Sequence, residues 1–225
     1  MTKNSDVKTD SFKDATDAYN KSDYTKAIEL FRPLAIEGNT AAQWYLGWMY
    51  KNGEGVTQDY EESAKWYLLA GDQGDVGAQF SLAQMYESGE GVIQDNKESA
   101  KWYHLAADQG HARAQYNLGM IYDRGIGVTQ DFEESAKWYR KAGDQGDSSS
   151  QYLLGAKYDE GIGVLQDHKE SAKWYQMAGD QGNARAQYNL GLMYRNNKGV
   201  SQDLEESVKW FRLAAEQGDA DSQFN

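Results

Sequence analysis

Arg113 and Asn117 stand four residues apart, as do Arg185 and Asn189. On a helix that spacing places both side chains on one face. An arginine and an amide so placed can hold a carboxylate through charge-assisted hydrogen bonds. Other reactive residue types are scattered. His104, His111 and His168 fall in unrelated contexts with no His-Glu-x-x-His, and the chain has no cysteine. Neither a zinc site nor thiol chemistry is expected. Paired carboxylates such as Glu61 and Glu62 stand at helix starts, where capping accounts for them. Gly-x-Gly-Val recurs with no strand before it, so a dinucleotide-binding loop is not expected. One Ser-x-x-Lys tetrad, Ser5 to Lys8, lies in a polar N-terminal stretch. No catalytic constellation assembles, and the chain reads as a non-enzyme with no cofactor and no metal.

The charge balance narrows the partners. A net charge of −12 over 225 residues repels phosphate backbones and anionic lipid. Neither nucleic acid nor membrane is an expected partner, and no run of 18 apolar residues exists to span a bilayer. Met1 to Asp14 is polar and lacks an apolar signal core. The expectation is a soluble chain, cytoplasmic as written, or periplasmic or secreted if a leader has been removed.

The elements that position these residues come from a repeat. Gln43, Gln79, Gln115, Gln151, Gln187 and Gln223 are spaced 36 residues apart, and Trp66, Trp102, Trp138, Trp174 and Trp210 keep the same step. In one unit, Ala114, Leu118, Ile121 and Tyr122 fall at helical spacing (helix A). Phe132, Ala136, Tyr139 and Ala142 do the same (helix B), with Gly125 and Gly127 between. Asp131 with Glu134 three residues on has capping-box spacing, repeated as Asp59/Glu62, Asp95/Glu98, Asp167/Glu170 and Asp203/Glu206. Gly74, Gly110, Gly146, Gly182 and Gly218 are placed to close helix B in a left-handed conformation. Gly47, Gly119, Gly155 and Gly191 sit inside helix A, where a close approach of helix B would compensate their helix cost of roughly 1 kcal/mol. Such hairpins bury their apolar faces only by stacking. Serines repeated in every copy, Ser63 to Ser207, are expected to serve the fold.

The pattern Ala-x-Ala-Gln-Tyr-Asn-Leu-Gly-x-x-Tyr, then Gly-x-Gly-Val-x-Gln-Asp, then Ser-Ala-Lys-Trp-Tyr and Gln-Gly resembles the Sel1-like repeat, a relative of the tetratricopeptide repeat. The likeness covers residues 40–225; Asn197 stands where the last loop's first glycine belongs, and the cysteines of one bacterial subgroup are absent. It implies an all-α, right-handed α/α superhelical solenoid with helix A lining the concave side. The domains expected are a flexible tail (1–10), a tetratricopeptide-like capping repeat (11–39), five repeats (40–75, 76–111, 112–147, 148–183, 184–219) and a truncated sixth (220–225). The truncation would leave an apolar face near Trp210, Phe211 and Ala214 without a polar cap, open to self-association.

On the face that the family's geometry makes concave, four columns stand out. One is aromatic: Trp44, Phe80, Tyr116, Tyr152, Tyr188 and Phe224. The next varies: Trp48, Gln84, Met120, Ala156, Leu192. A further turn gives Lys51, Glu87, Asp123, Asp159 and Arg195, and the helix starts give Ala41, Gly77, Arg113, Ser149 and Arg185. Aromatic and arginine anchors edged by mixed charge suit another protein as partner. The aromatic column also reads as intramolecular packing, and Asn117 and Asn189 as ordinary family residues. The resemblance implies an adaptor, with two alternatives from family roles: an immunity protein that neutralises a secreted toxin such as a phospholipase effector, and a weak β-lactam hydrolase.

Overall fold

A computed structural model of the chain describes residues 3–217, with side chains from Ser11 onward. The described residues form twelve α-helices and no strand. They divide into two compact units. The first, Met1–Gln109, holds α1 (Lys3–Asn20), α2 (Tyr24–Ile36), α3 (Thr40–Asn52), α4 (Tyr60–Asp72), α5 (Val76–Ser88) and α6 (Asn96–Asp108). The second, Gly110–Asn225, holds α7 (Ala112–Arg124), α8 (Phe132–Asp144), α9 (Ser148–Glu160), α10 (His168–Asp180), α11 (Ala184–Asn196) and α12 (Leu204–Glu216). Each unit is a stack of antiparallel hairpins, with odd-numbered helices in the helix-A register and even-numbered ones in the helix-B register. Helix α1 begins at Lys3, inside the segment read as a tail. The sixth partial repeat, with Gln223 and Phe224, lies outside the described residues, as does Gly218.

Polar residues of the repeat set the helix ends. Asp59, Asp95, Asp131, Asp167 and Asp203 each cap helix B by accepting from the backbone N–H three residues on, at 3.0 to 3.2 Å. The reciprocal half of a capping box is not made. The N–H of Asp59 already donates to the Tyr50 carbonyl of the preceding helix, and that of Asp95 to Tyr86. Glu62, Glu98, Glu170 and Glu206 instead meet Lys65, Lys101, Lys173 and Lys209 at 2.7 to 3.1 Å. At the far end Gly74, Gly110, Gly146 and Gly182 take positive φ, as expected. Asn197 adopts the left-handed conformation (φ 56°) in the one loop that lacks its first glycine; asparagine tolerates that region better than most residues.

Each hairpin closes on an aromatic ring of helix B. Tyr67, Tyr139, Tyr175 and Phe211 lie so near Gly47, Gly119, Gly155 and Gly191 that a Cβ there would sit 2.6 to 2.8 Å from the ring. The glycines inside helix A thus do admit helix B closely. Burying each such ring stabilises the fold by roughly 2–3 kcal/mol. Hairpins join through the repeated glutamines. Gln79, buried, donates to the Gly71 carbonyl of the preceding hairpin at 3.0 Å and accepts from Gln109 at 2.8 Å. Gln151 and Gln187 repeat this in the second unit. The repeated serines are buried, and Ser63, Ser99 and Ser207 donate to helix-A carbonyls at 2.7 to 2.9 Å.

Of the apolar end face expected near Trp210, Phe211 and Ala214, the exposed part lies beside those residues, at Val208, whose counterparts Ala64, Ala100, Ala136 and Ala172 are buried. Trp210, Phe211 and Ala214 are themselves buried, at 3%, 5% and 0% exposure. The Trp210 ring fills the space that Gly179 leaves empty, and Phe211 packs on Gly191 and Tyr188. The exposed apolar residues of α12 include Leu204 and Val208.

Candidate binding face

The described members of the four columns picked from sequence lie on the odd-numbered helices and remain wholly or partly exposed. In the first unit, Trp44 and Trp48 stack with ring centroids 5.8 Å apart and planes 16° apart, and Trp48 is exposed. Their neighbour Tyr45 turns the other way. It stacks on Phe31 at 4.5 Å and meets Phe12 and Tyr19, so it packs under the N-terminal hairpin. Phe80 is half-buried, 5.8 Å from Tyr103. Gln84 and Lys51 are half-buried, while Glu87 is exposed and accepts from the Tyr103 hydroxyl at 2.7 Å.

In the second unit, Arg113 and Arg185 are exposed at the starts of α7 and α11. Tyr116, Tyr152 and Tyr188 are half-buried and pack on Tyr139 (6.1 Å), Tyr175 (5.9 Å) and Phe211 (5.6 Å). The aromatic column therefore does both jobs: one edge of each ring packs inward and the rest meets solvent. Asn117, Asn189, Met120 and Leu192 are half-buried beside it. Asn189 lies beside the Tyr175 hydroxyl and favours its ionised form, against the larger effect of burial. Burial, then the nearby Asp159 carboxylate, pushes the Tyr175 hydroxyl pKa well up; burial and Asp123 do the same at Tyr139. Both hydroxyls stay protonated across the physiological range.

The acidic column of this unit is paired internally, which sequence reasoning missed. Asp123 accepts from Lys157 of the next hairpin and from Ser135 at 3.3 Å. Asp159 meets Lys198 at 2.9 Å and His168 at 3.1 Å. The guanidinium of Arg195 lies 5.5 Å from the Phe211 ring centroid. Lys157 is the outlier. It is buried to 7% exposure at the register where other copies carry Met49, Met85, Ile121 and Met193. The signal was present as one lysine in an apolar column. Asp123 and the nearby rings of Phe132 and Tyr139 make that burial tolerable.

Among the described residues no group of three or more His, Asp or Glu side chains is placed to hold a metal, and no helix is long and apolar enough to cross a membrane. A cleft of about 350 Å³ opens in the second unit between α7, α9 and α11, with Tyr116, Tyr152 and Arg185 among its walls. The arrangement offers contact area, aromatic edges and fixed charge.

Comparison with known proteins places this architecture. A sequence model of the Sel1 repeat matches residues 20–39, 40–75, 76–111, 112–147, 148–183 and 184–219. A solved Sel1 repeat protein from Oxalobacter formigenes is 32% identical, with a TM-score of 0.86, over 94% of this chain and 87% of that one. The antigen c5321 of uropathogenic Escherichia coli, described as protective and as displaying an SLR fold, is 41% identical with a TM-score of 0.83. That match covers 89% of this chain and 43% of the antigen. A curated relative, an exopolysaccharide production negative regulator of Rhizobium leguminosarum bv. viciae, is 41% identical over 58 residues, 26% of this chain and 22% of the regulator. The chain thus spans less than half of the antigen and about a fifth of the regulator.

Proposed function

The chain belongs to the Sel1 repeat family, whose members generally mediate protein–protein interaction, and we propose that it binds a partner protein on the open face of its odd-numbered helices. One observation carries this reading. Columns that close the fold, such as the glutamines, the serines and the tryptophans of helix B, barely change from copy to copy. Several of the columns beside them change chemistry along the stack, from Trp48 to Gln84 to Met120, and from Gly77 to Arg113 to Ser149. A scaffold needs the first kind of column, and selective recognition needs the second. Aromatic rings held from behind lose little freedom when a partner covers them, so they suit interface anchors. A secreted toxin, as in the immunity-protein reading, is one such partner and would be found by the same experiment.

The test is affinity capture from the source cells with identification by mass spectrometry, followed by titration of the captured protein. Trp48→Ala in the first unit, and Arg113→Ala with Tyr116→Ala in the second, are measured separately, with circular dichroism to confirm folding. At least one set is expected to weaken binding about tenfold or more, the usual effect of losing an aromatic or arginine anchor. Full affinity in both would place the site elsewhere, for example on the even-numbered helices.

A further inference from the structure

The cleft between α7, α9 and α11 has a definite chemistry. Its floor is the pair of Tyr116 and Tyr152 rings, each backed by a buried tyrosine of its own hairpin. Leu153 adds an apolar wall. The polar rim consists of Ser149, Asn183 and Arg185. Asn183 caps α11 with its side-chain oxygen, which accepts from the Ala186 N–H at 3.1 Å, so the amide nitrogen is left as a donor. Arg185 is exposed, and among the described residues no carboxylate is paired with it. The first turns of α7 and α11 carry Arg113 and Arg185 and no acidic residue, whereas α8 and α12 open with two glutamates each. In a chain of net charge −12 this is a local reversal of sign.

We infer that this cleft takes an acidic segment of a partner protein, with an Asp or Glu carboxylate on Arg185 and a neighbouring apolar side chain on the Tyr116 and Tyr152 rings. The inference rests on reading this face as a protein-binding surface, and it adds the chemistry of what binds. An arginine fork matches a carboxylate in two parallel hydrogen bonds, and Ser149 and Asn183 can supply further donors. The volume suits one or two side chains rather than a folded element.

The probe is a peptide library displayed with its C-termini fused to the carrier, so that any carboxylate selected is a side chain. Selection on the intact chain should yield sequences with Asp or Glu next to an aromatic or branched residue. Binding of a synthesised, C-terminally amidated winner should fall about tenfold or more with Arg185→Glu, and less with Arg185→Lys, which keeps the charge but loses the fork. It should weaken with Tyr152→Ala and as NaCl rises from about 0.05 to about 0.5 M. Glutamate at an exposed first-turn position suits the helix dipole, so Arg185→Glu is expected to fold. Winners without acidic residues, or winners indifferent to Arg185→Glu but lost with Trp48→Ala, would overturn the cleft and leave the broader reading standing. Selection only from a library with free C-termini would also overturn it, by assigning the site to a chain end. Binding that ignores every substitution on the odd-numbered helices would remove both.

Discussion

The two compact units are cut from one template and spend its free positions differently. In the first, the acidic column is satisfied inside a single hairpin, where the Tyr103 hydroxyl donates to Glu87. In the second, it reaches into the next hairpin: Asp123 takes Lys157, and Asp159 takes Lys198. The open face of the first carries the stacked Trp44 and Trp48, and that of the second carries Arg113 and Arg185. Meanwhile the loop glycines, buried serines and capping aspartates are nearly the same in both. The difference lies in positions that the repeat leaves free to vary, and that separation makes the exposed ones among them the place to look for recognition.

The sharpest check of the shared part is the second loop glycine. Gly91 in the first unit and Gly163 in the second both have positive φ, and a methyl on either would overlap the carbonyl of Tyr60 or Phe132. Backbone cannot move aside as a side-chain tip can. Gly91→Ala and Gly163→Ala are each expected to cost about 3 kcal/mol or more, through strain and steric conflict together. Urea denaturation should show the two losses equal within about 0.5 kcal/mol. Unequal losses would mean that the units do not share a frame, and the comparison would fail.

Much of that frame was legible in the sequence. The period and the aspartate caps each follow from a local rule that five copies repeat, and the glycines under the rings from one that four copies repeat. What was not legible depended on which of two available partners a side chain takes. Glu134 has capping-box spacing, yet the Asp131 N–H donates to the Tyr122 carbonyl, so the glutamate turns to Lys137 instead. Glu87 has the extra methylene that reaches the ring hydroxyl of its own hairpin; Asp123 is shorter and bonds the neighbouring hairpin's lysine. The columns of the open face could be read off the repeat, but the cleft could not. It is made where three helices converge, and no single repeat contains it.

A smaller effect separates the units at the acidic column. Asp123→Asn removes the charge facing the buried Lys157, and an uncompensated buried cation is costly; a loss of about 2–3 kcal/mol is expected. Glu87→Gln in the first unit leaves an acceptor for the Tyr103 hydroxyl and should cost under about 1 kcal/mol. Adding Lys157→Met, the residue other copies carry at that register, should restore most of the loss in the Asp123→Asn background. Denaturation midpoints of the single and double variants give the coupling directly. Additive losses with no restoration would show that the pair is not the reason Lys157 is tolerated.

The smallest expected effect concerns the cap of α7. Where α3, α5, α9 and α11 are capped by Asn39, Asp75, Asp147 and Asn183, α7 uses His111, whose Nδ1 accepts from the Ala114 N–H at 3.2 Å. Burial, and then the Arg113 charge, hold the His111 pKa below its ordinary value of 6.5. A protonated Nδ1 cannot accept, so protonation also removes the cap. Because the folded pKa is lower than the unfolded one, the unfolded chain binds the extra proton more readily. The histidine's contribution is therefore complete above about pH 6.5 and is lost as pH falls through the folded pKa. His111→Asn keeps an acceptor that does not titrate there, and should abolish this part of the slope between about pH 7.5 and pH 5 while adding a few tenths of a kcal/mol near neutrality. Urea midpoints across that range, compared for the two proteins, decide it. An unchanged slope would show that the first cap of the second unit tolerates its histidine without any coupling to protons.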